Sequence, residues 1–270
     1  YSISYGMGQL TITPAQLTVT AENKSKVYDA QAFTGFTSQI SGFRFTDDAS
    51  VLGGSLLYGG AAAAATEAGT YTGGIVPSGL SSTNYTFEYV PGNLVISPRP
   101  LTIRANAHSK VYGQPDPVLT REITSGSLAS GQVLSGSLQR ATGENVGSYG
   151  ISLSGLKIED AQQTERTHNY EIEFLGANLS ITPAPLTIIA DHKEKVYDGN
   201  TLGNFSVQVS GLVNGDVEDD VTGDFGFNTS VISARDAGTY PIHPSLSEPD
   251  RNPNYTYSFH SATLTIHPRT

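Results

Sequence analysis

Six histidines, one cluster of carboxylates and one lysine that returns with a tyrosine beside it are the residues of this 270-residue sequence whose types could do chemistry. His108, His168, His192, His243, His260 and His267 include no HxH or HxxxH pair, the spacings that bring two imidazoles to one ion, so they read as solvated side chains. Gly54-Ser55 and Gly136-Ser137 fall inside strand-like stretches and lack the strand-to-helix elbow that a serine nucleophile needs. Asp216, Glu218, Asp219, Asp220 and Asp224 lie close enough to offer oxygens to calcium, with Asp216, Asp219 and Asp220 as the candidate ligands. The run does not fit an EF-hand loop, and the counterpart turn is Ser130-Gly131-Gln132, so a solvated acidic turn is the competing reading. Lys26, Lys110 and Lys195 each precede Val-Tyr and could crosslink to Asn84, Asn169 or Asn254 with loss of ammonia. A lysine stem packed on apolar surface with its ammonium in water is the plainer role. Nothing here assembles a catalytic constellation: the sequence predicts no enzyme, and no cofactor apart from the calcium alternative.

The elements that would position these residues are repeated. The stretch NYTFEYVPGNLVISPRPLTI from Asn84 returns as NYEIEFLGANLSITPAPLTI from Asn169 and as NYTYSFHSATLTIHPRT from Asn254. A partial copy, YSISYGMGQLTITPAQLTV, opens the sequence at Tyr1. Leu10, Leu94, Leu179 and Leu264 recur at a nearly constant interval, and a fixed period of that kind is the signature of an array of like modules. Each copy reads as two strands joined by a turn, then a proline junction, then the first strand of the next module. Residues 1–14 are read as the terminal hairpin of a preceding repeat, which makes the sequence a piece cut in mid-repeat. Modules follow at 15–99, 100–184 and 185–270.

Inside each module an opening strand leads to Tyr28, Tyr112 or Tyr197, followed by Asp or Gly as turn chemistry. Gly42, Gly126 and Gly211 lead a later turn. Glu67, Asn145 and Asp236 each stand four residues before Tyr71, Tyr149 and Tyr240, a spacing that resembles the tyrosine corner, in which a hydroxyl bonds nearby backbone. Tyr85, Phe87 and Tyr89 alternate with polar residues, as do the strands begun by Tyr170 and Tyr255, so each presents one aromatic face to a core. The five alanines at 61–65 are taken as a strand edge or loop. The expected fold is all-β: three small tandem β-sandwich modules of immunoglobulin-like kind, set by their proline junctions into an elongated rod. A β-grasp module is the alternative, and it would show a helix of three turns after the second strand.

Composition narrows function. A formal charge of −10 argues against nucleic acid and anionic membranes, and the absence of cysteine removes disulfides and thiolate metal sites. No apolar run has membrane-spanning length, so membrane insertion is not expected. Asn84-Tyr-Thr and Asn254-Tyr-Thr are sequons, but Asn169-Tyr-Glu breaks the pattern, so the asparagine is read as serving a turn.

Taken as a set, KVYD, KVYG and KVYDG after an opening strand, GTY or GSY, NYxxxF and the closing LxIxP resemble the MBG/YDG domains. These are tandem repeats of large bacterial surface and secreted adhesins, including filamentous-haemagglutinin-like proteins. Modules one and three resemble the YDG type and module two the YGX type. The resemblance implies a secreted or cell-surface location and a non-enzymatic stalk, monomeric, with the host, matrix or glycan ligand bound elsewhere in the parent protein. Direct adhesion is the alternative, with Tyr58, Phe225 or Phe227 as contacts. Self-association through the opening hairpin is a third reading.

Overall fold

The computed structural model describes residues 1–248 and 251–269. Module one contains β1 (Ala15–Ala21), β2 (Lys24–Val27), β3 (Ser38–Ser41), β4 (Gly53–Gly59), β5 (Gly69–Ser81), β6 (Tyr85–Val90) and β7 (Gly92–Ser97). Module two repeats them as β8 (Arg99–Ala105), β9 (His108–Val111), β10 (Arg121–Gly126), β11 (Val133–Arg140), β12 (Gly147–Glu159), β13 (Tyr170–Leu175) and β14 (Ala177–Thr182). Module three has β15 (Ala184–Ala190), β16 (Lys193–Val196), β17 (Val207–Ser210), β18 (Phe225–Phe227), β19 (Gly238–Ile242), β20 (Pro244–Leu246), β21 (Tyr255–His260) and β22 (Ala262–His267). Each module is a two-sheet β-sandwich. In module one the sheets are ordered β3-β1-β6 and β2-β7-β5-β4, and the others follow this plan.

The pairing shows why the repeat is built this way. Ala15 lies opposite Tyr85 in a parallel ladder, and Lys24 lies opposite Leu94 in a second one, with the same sequence separation in both. In module three Ala184 faces Tyr255 and Lys193 faces Leu264, and the two separations are again equal. The opening pair and the closing pair are thus two long strands that run parallel and cross together from one sheet to the other. Strands β6 and β7 are separated only by Pro91 and belong to different sheets, so NYTFEYVPGNLVIS is not the hairpin its turn residues suggest. Proline has no N–H to offer a ladder, so the strand breaks there, and Gly92 admits the carbonyl of Ala21. A Cβ on Gly92 would lie 2.8 Å from that oxygen.

Alternation decides which side chains enter the core. Strands β1, β8 and β15 bury Leu17, Val19 and Ala21, then Leu101, Ile103 and Ala105, then Leu186, Ile188 and Ala190. The closing strands add Leu94 and Ile96, Leu179 and Ile181, Leu264 and Ile266. The turn glycines are sterically required. Gly126 has a φ of 78°, and a Cβ there would meet the Pro100 carbonyl at 2.3 Å; Gly211 repeats this against Pro185 at 2.5 Å.

One further expectation changes. Residues 1–14 form no strand, and Tyr1, Ile3, Tyr5, Met7, Leu10 and Ile12 are exposed. The five alanines form a turn that buries Ala62 and Ala65, and module three places the short helix α2 (Thr229–Ile232) in the matching stretch. The long strand of modules one and two (β5, β12) is divided in module three into β19 and β20, which pair with β22 and β18. The stretches after β2, β9 and β16 carry no helix, which is what a β-grasp module would need.

The chain forms two compact units. One holds Tyr1–Ile103, Ile123–Gly136 and Gly155–Phe174, the other Arg104–Glu122, Ser137–Ser154 and Leu175–Thr270. The division falls inside module two and not at the prolines. Each unit therefore contains one complete junction between repeats, and Pro98 or Pro183 is the single residue between the closing and opening strands.

Candidate functional site

In the first unit the junction is held by a buried asparagine and a pair of tyrosines. Asn169 ends a 3-10 turn just before β13 and is wholly buried. Its amide oxygen accepts the Ala68 N–H at 2.7 Å, and its NH2 donates to the Glu67 carboxylate. Glu67 also pairs with Arg166 and, at 3.0 Å, with His168. The Glu67 carbonyl accepts the Tyr71 hydroxyl at 2.9 Å, which fixes the turn presenting Ala68. Beside this, Tyr28 and Tyr170 meet edge to face with ring centres 5.6 Å apart. The Gln132 amide joins them, donating to the Tyr28 hydroxyl at 2.7 Å and accepting from Tyr170 at 2.6 Å. Every buried polar group here has a partner, as burial demands.

The second unit repeats the design with altered side chains. Asn254 accepts the Val146 N–H at 2.8 Å and donates to Asn145 at 3.1 Å, while Tyr149 bonds the Asn145 carbonyl at 2.7 Å. Tyr112 and Tyr255 meet edge to face at 5.5 Å. Asp216 takes the place of Gln132 and accepts both hydroxyls, Tyr112 at 3.0 Å and Tyr255 at 2.7 Å. Burial, with the Asp216 carboxylate alongside, pushes the Tyr255 hydroxyl up to about 12, so it remains a donor.

Asp216 is therefore a structural acceptor. Asp219 and Asp220 lie exposed on α1 (Glu218–Thr222) and do not converge on it; among the described residues no group of three or more His, Asp or Glu side chains is placed to hold a metal ion. Glutamine at 216 should reproduce the neighbouring junction's chemistry, so Asp216→Gln should leave thermal stability nearly unchanged. Asp216→Ala should cost about 2 kcal/mol, because two hydroxyls lose their acceptor. Equal losses in both variants would remove the equivalence of the two junctions.

The lysines do not reach the asparagines. Lys26 and Lys195 close the turns after their strands, on Asp29 and Asp198 and on the carbonyls of Gln31 at 2.6 Å and Asn200 at 2.8 Å. Lys110 lies between Asp116 at 2.7 Å and Glu144 at 2.6 Å, and Arg140 pairs with both acids. The Arg140 guanidinium, and after it the Lys110 ammonium, hold the Asp116 carboxyl down at about 2. A depressed carboxylate stabilises the fold fully above its unfolded value of about 4, and this contribution is lost as pH falls through about 2. Hydrogen exchange of β9 and β11 should lose protection across that window in the parent protein and change less in Arg140→Gln. Since both acids are partly exposed, the difference should stay below about 1 kcal/mol.

The remaining sequence candidates have ordinary places. Tyr240 donates to the Asp236 carbonyl at 3.1 Å, completing the series of three tyrosine corners. Tyr85 bonds Asp47 at 2.7 Å and Tyr197 is exposed. Tyr58 and Phe227 pack against cores, and Phe225 is half-buried in β18. Glu67, Asn145 and Gln132 were not identified as junction residues from sequence. The signal was present: an acid or amide recurs at 67, 145 and 236, and polar residues recur at 47, 132 and 216.

No curated protein matches the chain. Among solved structures, a cell surface adhesin from Lactobacillus reuteri is 32% identical over 32% of this chain and 97% of its own, with a TM-score of 0.24. The I9–I11 tandem of titin is 9% identical, covering 94% of this chain and all of its own at a TM-score of 0.23. Drosophila N-cadherin EC1–4 is 10% identical, covering 96% and 76% at 0.25. Residues 17–95, 101–180 and 186–265 each match the family described as MBG domain, YGX type. Modules one and three match it as module two does, despite the Tyr-Asp pairs that resembled the YDG type. The chain belongs to the MBG domain family, YGX type, as three consecutive copies.

Proposed function

We propose that this chain is a non-enzymatic spacer segment of a bacterial surface adhesin, holding a binding region elsewhere in its parent away from the cell. The MBG membership supports the adhesin setting. The observation that carries the spacer reading is the duplicated junction: one asparagine, two tyrosines and a polar bridge link successive repeats in the same arrangement twice. A junction with buried, saturated polar groups has one low-energy geometry, which a spacer needs and a loose tether lacks. Packing Tyr58 and Phe227 against cores leaves these two poorly suited to direct adhesion.

Solution scattering tests this. A spacer of three modules should give a radius of gyration of about 27–30 Å, against about 18–19 Å for one globule of this length. The same protein on glycan arrays and immobilised matrix proteins should show no specific binding. A compact radius, or saturable binding by this chain alone, would replace the spacer with an adhesive module.

A further inference from the structure

Each module makes the same tight turn just ahead of its polar bridge. The N–H groups of Asp47, Gln132 and Asp216 donate back to the carbonyls of Arg44, Ala129 and Val213 at 3.1, 3.2 and 3.0 Å. The Arg44, Ala129 and Val213 N–H groups donate in turn to the hydroxyls of Tyr85, Tyr170 and Tyr255 at 3.0, 2.8 and 3.1 Å. Only the residues at the tip differ: Phe45-Thr46, Ser130-Gly131 and Asn214-Gly215. Asn214 and Gly215 both take positive φ, 63° and 79°, the conformation for which Asn-Gly is the favoured pair.

Asparagine followed by glycine is also a reactive pair. The glycine nitrogen, on losing its proton, attacks the asparagine Cγ; a C–N bond forms, ammonia leaves and a succinimide ring closes. Water then opens the ring at either carbonyl and gives aspartate or isoaspartate, in which the main chain runs through the side chain. Ammonia departs, water enters, and no oxidant or cofactor takes part. A Cβ on the following residue hinders the closure, and Asn214 is the only asparagine of the sequence followed by glycine.

The structure leaves this pair open. Asn214 and Gly215 are exposed, and a Cβ built on Gly215 would meet nothing within 4 Å, so a ring has room. Among the described residues no hydrogen bond holds the Asn214 amide or the Gly215 N–H. Asp198-Gly199, the acidic counterpart of such a pair, is tied: Asp198 accepts from Lys195 at 2.6 Å and from the Asn200 N–H at 2.9 Å.

The turn is at the same time a part of the second junction. On one side of it Val213 packs so closely on module two that a Cβ on Gly113 would lie 2.4 Å from its side chain. On the other side Asp216 accepts the hydroxyls of Tyr112 and Tyr255. Isoaspartate inserts a methylene into the main chain between these two anchors, and the turn that spaces them loses its geometry. Either product also adds a carboxylate beside Asp216, in a stretch that already holds Glu218, Asp219 and Asp220. The first junction has Ser130-Gly131 at this place and is immune to the reaction.

We propose that Asn214 is a site of spontaneous modification, whose conversion to aspartate and isoaspartate loosens the junction between modules two and three and spares that between modules one and two. Ageing the intact protein in mildly alkaline buffer, with peptide mass mapping, tests this. The Asn214 peptide should acquire the amide-to-acid mass change about tenfold faster than any other asparagine, a barrier difference of about 1.4 kcal/mol. The rate should rise with pH, because the glycine nitrogen attacks as its anion. In the aged protein the Val146 amide, held by Asn254, should lose exchange protection while the Ala68 amide keeps it. Asn214→Ser installs the tip of module two, cannot close the ring, and should keep Val146 protected through the same ageing. Modification of Asn214 no faster than that of other asparagines would overturn the proposal. So would Val146 protection that survives full conversion, or an equal loss of it in aged Asn214→Ser.

Discussion

Tyr28→Ala is expected to destabilise the first unit by about 3–5 kcal/mol, the usual cost of emptying a fully buried aromatic site. Tyr28 is 1% exposed and belongs to a core cluster that includes Ile96 of module one and Leu101, Ile103, Ile158 and Tyr170 of module two. Its loss opens a cavity on both sides of the junction and leaves the Gln132 amide without its hydroxyl acceptor. Hydrogen exchange should therefore show lost protection in β6 and β7 of module one and also in β13 of module two. Tyr28→Phe keeps the ring and should retain most of the stability, giving up about 1 kcal/mol for the hydrogen bond. If exchange rises only within module one, the junction is not part of the core and the repeats unfold separately.

Much of the fold could be read because the physics is local and repeated. Alternation in LTVTA, LTIRA and LTIIA places Leu17, Leu101 and Leu186 inward, and all three are buried. The turn glycines at 42, 126 and 211 were identifiable because their positions need backbone freedom, and each has positive φ. Pairing was harder. Pro91-Gly92 carries turn chemistry, and an antiparallel hairpin is the default for two strands so joined. The true partner of β6 is β1, at the far end of the same module, and no local pattern encodes a parallel ladder between segments so distant in sequence. The same limit accounts for residues 1–14, whose alternating apolar side chains look strand-like although strand structure needs a distant partner.

The junction was half visible for a related reason. Asn84, Asn169 and Asn254 stood out by recurrence and were assigned to a turn, which fits Asn84 in its exposed setting. What sequence could not supply was that Ala68 and Val146, 101 and 108 residues before their asparagines, present the N–H groups. Asp216 drew attention for its charge, yet it acts as an acceptor for two hydroxyls. Gln132, uncharged, does the equivalent work by accepting from one tyrosine and donating to the other. The proline junctions, read as the stiffening device, contribute one residue each, while buried hydrogen bonds and ring contacts link the repeats.

Asparagine-to-alanine substitution at three equivalent positions separates these roles in a single experiment. Asn169→Ala strands the partly buried Ala68 N–H, and Asn254→Ala strands that of Val146 and the Asn145 amide, so each should cost about 1–3 kcal/mol. The two sites have no hydrogen-bond partner in common, so the double variant should lose about 2–6 kcal/mol, additive to within about 0.5 kcal/mol. Asn84→Ala removes the same atoms from an exposed position and should change stability by less than about 0.5 kcal/mol. Chemical denaturation of the four proteins reads these differences, and exchange at the Ala68 and Val146 amides reports each junction separately. Comparable losses at all three positions would mean that the asparagine stabilises its own turn within each module. Losses at 169 and 254 alone would assign it to the link between repeats, because only there is its amide buried against the preceding module.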